Sequence, residues 1–95
     1  MTTATTQRRY PSHNWDYKAT STMVNGIRVI YYTNGDSQGV EMYKGQNYIV
    51  GDSSRSWSRV YSLETYPKKY NNVVQELIKV HNNTQWSNES YVNNN

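Results

Sequence analysis

The sequence contains no cysteine, no phenylalanine and only two prolines. The lack of cysteine excludes disulfide scaffolds, cysteine-ligated zinc sites and thiol catalysis. No run of about 18 apolar residues occurs, so the sequence has no candidate transmembrane helix. Residues 1–9 also lack the apolar stretch of a secretory signal, which predicts an intracellular protein.

Aliphatic side chains are scarce: Ile, Val and Leu total 15 of 95 residues, whereas Asn, Ser, Thr and Gln total 36. So low an aliphatic share is typical of disordered chains, but disorder is also favoured by high net charge, and the formal charge here is only +3. Ten Tyr and three Trp supply the missing apolar volume, because one large aromatic side chain can bury ~150–250 Å². We therefore predict a folded chain with a thin core rich in aromatic residues.

Both ends of the sequence are polar and show no hydrophobic period. The sequence thus predicts a polar N-terminal arm at 1–14, a single domain at 15–82 and a polar C-terminal tail at 83–95. At 95 residues there is no room for a second domain.

The first strand signal centres on Asn25-Gly26, a dipeptide typical of two-residue hairpin turns because both residue types tolerate positive φ. The segment at 27–33 that follows is dense in β-branched and aromatic residues. A two-residue turn sets the register of this hairpin and so the face on which each residue lies. The predicted pairs are Val24 with Ile27, Thr22 with Val29 and Thr20 with Tyr31, which leaves Arg28, Ile30 and Tyr32 on the opposite face.

Further strands are predicted after this hairpin. A turn at 34–36 ends its second strand, and apolar segments follow at 40–43, 48–50 and 57–63. Gly45-Gln46 suits a type II′ turn, which would pair Tyr43 with Tyr48 and Met42 with Ile49.

One helix is predicted after the strands. Thr65 or Tyr66 is its expected cap, Pro67 suits its first turn, and Asn82-Asn83 is a suitable left-handed stop. Its apolar stripe, spaced at i, i+3, i+4, i+7, i+8 and i+11, consists of Tyr70, Val73, Val74, Leu77, Ile78 and His81. Strands followed by one helix predict an α+β fold, an antiparallel sheet of 4–5 strands with the helix packed on one face.

The sequence offers little for catalysis. It has no glycine-rich phosphate loop and no nucleophile motif, and its two histidines do not make a metal site. We interpret His81 as a boundary residue at the helix C-terminus, a position that favours the charged imidazole, and His13 as a solvated side chain. The prediction is a protein that is not an enzyme and that needs no cofactor or metal.

A combination of basic and aromatic residues is the strongest functional signal. Tyr and Trp on strands provide rigid contact area for a protein, and they can also stack on unpaired bases while Arg and Lys neutralise phosphate. The candidate partner-binding residues are Arg28, Tyr32, Tyr43, Lys44, Tyr48, Arg55, Trp57 and Arg59.

Two functions remain open at this stage. The first is a small protein-interaction module, either an assembly component or an inhibitor that docks on a larger protein, with a protein or a second copy of the chain as partner. Its size and composition suit a phage or viral protein located in the host cytoplasm or the virion. The alternative is a nucleic-acid-binding module that uses a basic, aromatic sheet face.

The nucleic-acid alternative makes its own prediction. Arg55→Ala and Arg59→Ala should each weaken binding. Affinity should fall steeply with added salt, because the release of counterions from the nucleic acid gains less entropy when the bulk salt concentration is higher. Fluorescence anisotropy with single- and double-stranded oligonucleotides measures this. An absence of binding at ~50 mM salt, where electrostatic binding is strong, contradicts the alternative.

Overall fold

In the described part of the chain, the fold consists of five antiparallel strands and one helix. The computed structural model describes residues 2–10, 15–44 and 57–86. Its strands lie side by side in sequence order, and a 3-10 turn at Lys68–Tyr70 leads into the helix. The elements are β1 (Ala4–Tyr10), β2 (Trp15–Val24), β3 (Ile27–Asn34), β4 (Ser37–Lys44), β5 (Trp57–Tyr61) and α1 (Asn71–Asn83). The predicted α+β fold, an antiparallel sheet with one helix on a single face, is confirmed.

The β2–β3 hairpin has the predicted register. Asn25 and Gly26 form its turn with φ values of 51° and 80°, as a two-residue turn with positive φ at both positions requires. Val24 pairs with Ile27, and each of the other two predicted pairs is also present. The turn between β3 and β4 lies at Gly35 and Asp36, as predicted, with a φ of 62° at Gly35.

The predicted pairing around Gly45-Gln46 is wrong. Met42 pairs with Val29 of β3 on one side and with Arg59 of β5 on the other, and Tyr43 pairs with Arg28 and Ser58. A strand has only two edges, so β4 has none left for a further hairpin partner. Residues 45–56, which include Tyr48 and Ile49, lie outside the described part of the chain.

The segment predicted as a polar N-terminal arm contains a strand. Residues 4–10 form β1, which pairs with β2 along its whole length, from Ala4 opposite Ser21 to Tyr10 opposite Trp15. Sheet hydrogen bonds are made by the backbone, so a polar segment can add to a sheet edge without a hydrophobic period. At the other end, α1 continues to Asn83, one residue beyond the predicted domain boundary.

The core lies between α1 and one face of the sheet. Val74 and Leu77 of α1 are fully buried, as the apolar stripe predicts. They pack with a cluster of sheet residues and with Tyr66, which is 3% exposed. The sheet residues of this cluster are Val29, Tyr31, Val40 and Met42.

The ends of the helical segment differ from the prediction. Pro67 precedes the 3-10 turn, whereas Thr65 accepts a hydrogen bond from the Ser62 backbone and so closes the preceding turn instead. The last residue of α1 is followed by Thr84 in an extended conformation (φ −78°), so the predicted left-handed stop is wrong. Thr84 Oγ1 donates to the Val80 carbonyl (2.8 Å), which satisfies a helix-end acceptor without a left-handed residue.

No helix in the described ranges is long and apolar enough to cross a membrane.

We expect Leu77→Ala to lower the free energy of unfolding by ~2–5 kcal/mol, because it removes a fully buried side chain and leaves a cavity. Chemical denaturation of wild type and variant measures the difference. Lys79→Ala, on the exposed side of α1, is the matched control and should change stability little. Equal stability of Leu77→Ala and wild type would contradict packing of α1 on the sheet.

Candidate functional site

The sheet face opposite α1, here called the open face, carries the strongest candidate surface. Because side chains alternate along a strand, the residues that neighbour the buried Val29 and Tyr31 point to this face. The cross-strand register extends the face over β2 and β4. Its central members are Tyr17, Ala19, Ser21, Arg28, Ile30, Tyr32, Gly39, Glu41 and Tyr43.

Aromatic rings cross the middle of the open face. The rings of Tyr17 on β2 and Tyr32 on β3 are stacked, with centroids 5.9 Å apart. On its other side Tyr32 closely approaches Gly39 of β4, where a Cβ atom would lie only 2.7 Å from the Tyr32 hydroxyl. Gly39 therefore allows the ring to lie against the sheet. Tyr32 also pairs with Ala19 of β2, which is 5% exposed. The stacked rings of Tyr17 and Tyr32 are called the aromatic centre below.

Opposite charges accompany these rings. Arg28 Nη1 donates to Ser21 Oγ at 3.4 Å, and the Tyr43 hydroxyl donates to Glu41 Oε1 at 3.0 Å. Burial, and to a smaller extent the charge of Glu41, raises the pKa of Tyr32, so its hydroxyl remains protonated at neutral pH. Among the central residues of β2, β3 and β4 on this face, the charged side chains are thus Arg28 and Glu41. The register also places the position of Arg8 on β1 opposite Tyr17.

The open face also carries apolar side chains. Val60 on β5 is 64% exposed, and Met23 at the end of β2 is 37% exposed. Ile30 lies half-buried in the middle of β3. Sequence reasoning did not select these three residues, or Tyr17, as partner-binding residues. Extending the period-2 pattern and the hairpin register from β3 to its neighbours would have found Met23 and Tyr17.

The structure brings together only part of the predicted partner-binding set. Arg28, Tyr32 and Tyr43 lie on the open face. Arg59 pairs with the core residue Met42, so the register places it on the side of α1, where its side chain is exposed at the sheet edge. Lys44 and Trp57 pair with each other at positions of that same side. Tyr48 and Arg55 lie outside the described residues.

A buried polar cluster joins α1 to the sheet. The His81 ring lies 3.1 Å from the Thr20 hydroxyl through Nδ1 and 3.1 Å from the Thr33 hydroxyl through Nε2. The edge of the ring meets Tyr31 at a centroid distance of 4.9 Å. Trp86 covers it at the same distance and donates its indole N–H to the His81 carbonyl (3.1 Å). Both ring nitrogens therefore have partners, as a buried imidazole requires.

This environment corrects the interpretation of His81. The residue is 5% exposed rather than at a boundary, and burial lowers the pKa of its imidazole, with a further contribution from the charge of Lys18. The structure thus favours the neutral ring, although the sequence position predicts the charged one. The positive charge loses more by desolvation than it gains from the helix C-terminus.

Within residues 2–10, 15–44 and 57–86, no three His, Asp or Glu side chains gather as a metal site. The ring partners of His81 among the described residues are two threonine hydroxyls. Its geometry therefore suits a link between the helix and the sheet.

Comparison with known proteins found no matching family model, no matching curated protein and no matching solved structure. The functional inference below therefore starts from the surface chemistry of this chain.

We expect the protein to lose stability as the pH falls from about 7.5 to 5.5. An unfolded histidine takes up a proton near pH ~6.5, whereas folded His81 binds one only at lower pH, so protons favour the unfolded state below ~6.5. Above that value His81 is neutral in both states, so it does not make the free energy of unfolding depend on pH. Thermal unfolding across this range, above the main titration of carboxylates, measures the effect.

His13→Gln is the matched control, because it removes the other histidine of the chain. The loss of stability between pH 7.5 and 5.5 should remain in His13→Gln and should become smaller in His81→Gln. An NMR titration of the wild type gives a direct check, since the His81 ring should titrate below the usual range. A His81 midpoint above ~6.5 would contradict the proposed neutral ring.

Proposed function

We propose that this protein is a small non-enzymatic interaction module that binds a protein partner through the open face. The observation that carries the proposal is the stack of Tyr17 and Tyr32 on that face. The half-buried Ile30 and, at the end of β2, the partly exposed Met23 lie on the same face. Side chains of these types supply contact area with few rotatable bonds or adapt to a partner's shape.

The polar groups of the open face fit the same function. Tyrosine and arginine are enriched at protein interfaces and among the residues that contribute most to binding. Tyr43 and Arg28 are both oriented by hydrogen bonds to neighbouring side chains of the face. Such orientation lowers the conformational entropy lost on binding.

The charge distribution favours a protein over a nucleic acid. A nucleic-acid surface needs several cations beside its aromatic rings, because phosphate contacts supply most of the affinity. On the open face two arginine positions, Arg28 and Arg8 opposite Tyr17, are accompanied by the acidic Glu41, which is fewer cations than a phosphate-binding surface usually carries. Lys44 and Arg59 belong to the side of α1, away from the Tyr17–Tyr32 stack.

A docking role suits the way the open face is supported. Its aromatic residues stand on central strands, and α1 braces the other side of those strands through the fully buried Val74 and Leu77. A surface held in this way needs little rearrangement on binding. We therefore favour an assembly component or an inhibitor that docks on a larger protein.

Matched lysine substitutions test the proposal. Ile30→Lys places a charge at the centre of the open face, and Gln75→Lys places the same charge on the exposed side of α1. Partners captured by tagged wild type from its native cell are identified by mass spectrometry, with and without nuclease, and their affinities are then measured. We expect Ile30→Lys to bind at least about tenfold more weakly, because an unpaired charge buried at the centre of an interface costs more than the ~1.4 kcal/mol that a tenfold change requires.

Arg28→Glu serves as a second open-face variant if Ile30→Lys changes the melting temperature. Gln75→Lys should bind like wild type, and nuclease should leave capture unchanged. Equal binding by all variants would overturn the role of the open face. Capture that nuclease abolishes would instead support the nucleic-acid alternative.

A further inference from the structure

The turn between β2 and β3 carries a reactive pair of groups that the proposed function does not use. Asn25 is followed by Gly26, so the side-chain amide carbon of Asn25 lies one ring closure away from the backbone nitrogen of Gly26. Attack of that nitrogen on the carbon closes a five-membered succinimide ring. Glycine hinders the attack least, because it has no Cβ. The sequence has one other asparagine followed by glycine, Asn34.

The structure leaves the Asn25-Gly26 pair accessible. Both residues are exposed, and a Cβ atom added at Gly26 would have no atom within 4 Å. The flanking residues Val24 and Ile27 pair with each other across the turn. In a two-residue turn these flanking residues make the hydrogen bonds that close the hairpin, so the Gly26 N–H is not among the closing bonds.

Asn34 is held by strands on both sides. It is the last residue of β3, it is half-buried, and it pairs with Tyr17 of β2 and with Ser37 of β4. Ring closure rotates the backbone of the asparagine until the next nitrogen meets Cγ. At Asn34 this rotation disturbs two ladders, whereas at Asn25 it disturbs the tip of one hairpin. Loop tips open at much lower free energy than paired strands.

The backbone conformation of Asn25 also favours its departure from the turn. Its φ of 51° is the one positive φ of a non-glycine residue within 2–10, 15–44 and 57–86. A left-handed backbone is less favourable for L-residues than a right-handed or extended one, although asparagine tolerates it better than most. Leaving this conformation offsets part of the cost of opening the turn.

We propose that Asn25 is a site of spontaneous deamidation in the folded protein and that its isoaspartate product destabilises the β2–β3 hairpin. The Gly26 nitrogen bonds to Cγ of Asn25, and the side-chain amide leaves as ammonia with the proton from that nitrogen. Water then opens the ring. Cleavage of the bond from the ring nitrogen to Cγ gives aspartate, and cleavage of the bond to the main-chain carbonyl carbon gives isoaspartate.

The two products differ in their effect on the turn. Asp-Gly suits the same two-residue turn as Asn-Gly, so the aspartate product keeps the register. In isoaspartate the main chain runs through Cβ and Cγ, which adds one carbon atom to the turn. Loop length fixes the register of a hairpin, and the register of β2 against β3 determines the core and the open face alike. The modification is independent of the proposed function of the open face.

Incubation of the folded and unfolded protein tests the site, with Asn34 as a control within the same chain. Fresh protein is held at mildly alkaline pH with and without guanidinium chloride, and mass spectrometry of its peptides measures aspartate and isoaspartate at each position. In the folded protein we expect Asn25 to convert at least about tenfold faster than Asn34, because its backbone opens more readily. In denaturant both ladders are absent, so the two rates should become similar.

Three results would overturn the site. Asn34 could convert as fast as Asn25 in the folded protein. Neither residue could convert in the folded protein while both do so in denaturant, which would show that the turn protects Asn25. A tenfold difference could persist in denaturant, which would trace the preference to neighbouring side chains rather than to the fold.

Melting temperatures test the effect of the product. The isoaspartate form, separated from the incubated protein by chromatography, should melt at least about 4 °C below fresh wild type. Asn25→Asp is the matched control, since it has the same charge on an ordinary backbone, and it should melt like wild type. Equal melting temperatures for the isoaspartate form and Asn25→Asp would overturn the proposed destabilisation of the hairpin.

Discussion

The two-residue turn at Asn25 and Gly26 fixes β2 against β3, and most other placements follow from that register. Side chains alternate with a period of two, so a slip of one residue would exchange the buried and exposed faces of both strands. In the observed register Val29 and Tyr31 meet the helix, while Tyr32 lies on the other face. The core and the open face are therefore two results of a single local constraint.

The scarcity of aliphatic residues explains the polar character of the interior. Tyrosine fills volume that leucine would occupy in other proteins, but each buried hydroxyl requires a partner. The Tyr31 hydroxyl donates to Gln38 at 2.7 Å, and the Tyr66 hydroxyl donates to Asn71. His81 meets the same requirement through two threonine hydroxyls. The core is thus held by directional contacts as well as by apolar packing, which favours one arrangement of helix and sheet.

Local signals predicted the parts of the fold that depend on neighbouring residues. The Asn25-Gly26 hairpin, the α1 stripe and the burial of Leu77 are all of this kind, because turn chemistry and helical period act over a few residues. β1 carries no such signal, since its place depends on backbone pairing with β2. The partner of Met42 was predicted wrongly for a similar reason. The nearby Gly45-Gln46 turn signal indicated Ile49, whereas the observed partner on β5, Arg59, lies further along the chain.

The candidate site was predictable only in part. Residue type identified Arg28, Tyr32 and Tyr43 as candidates for the open face. It could not distinguish Arg28 from Arg59, which has the same side chain but lies on the side of α1. The distinction requires the register of β5 against β4, and 12 residues separate those two strands in the sequence. His81 was misjudged because its burial depends on Thr20 and Thr33, far away in the chain.

Spatial order equals sequence order in this sheet, and this has a consequence for how the chain folds. Each strand pairs with the strand made just before it, so most sheet contacts are short in sequence and the sheet can grow one strand at a time. The exception is α1, which packs on β2 and β3 across a sequence separation of roughly 40 to 60 residues. We therefore expect closure of this longer loop to follow formation of the sheet. During synthesis the apolar side of the sheet remains open until α1 has left the ribosome, and this interval is when the chain is most exposed to aggregation or to chaperones.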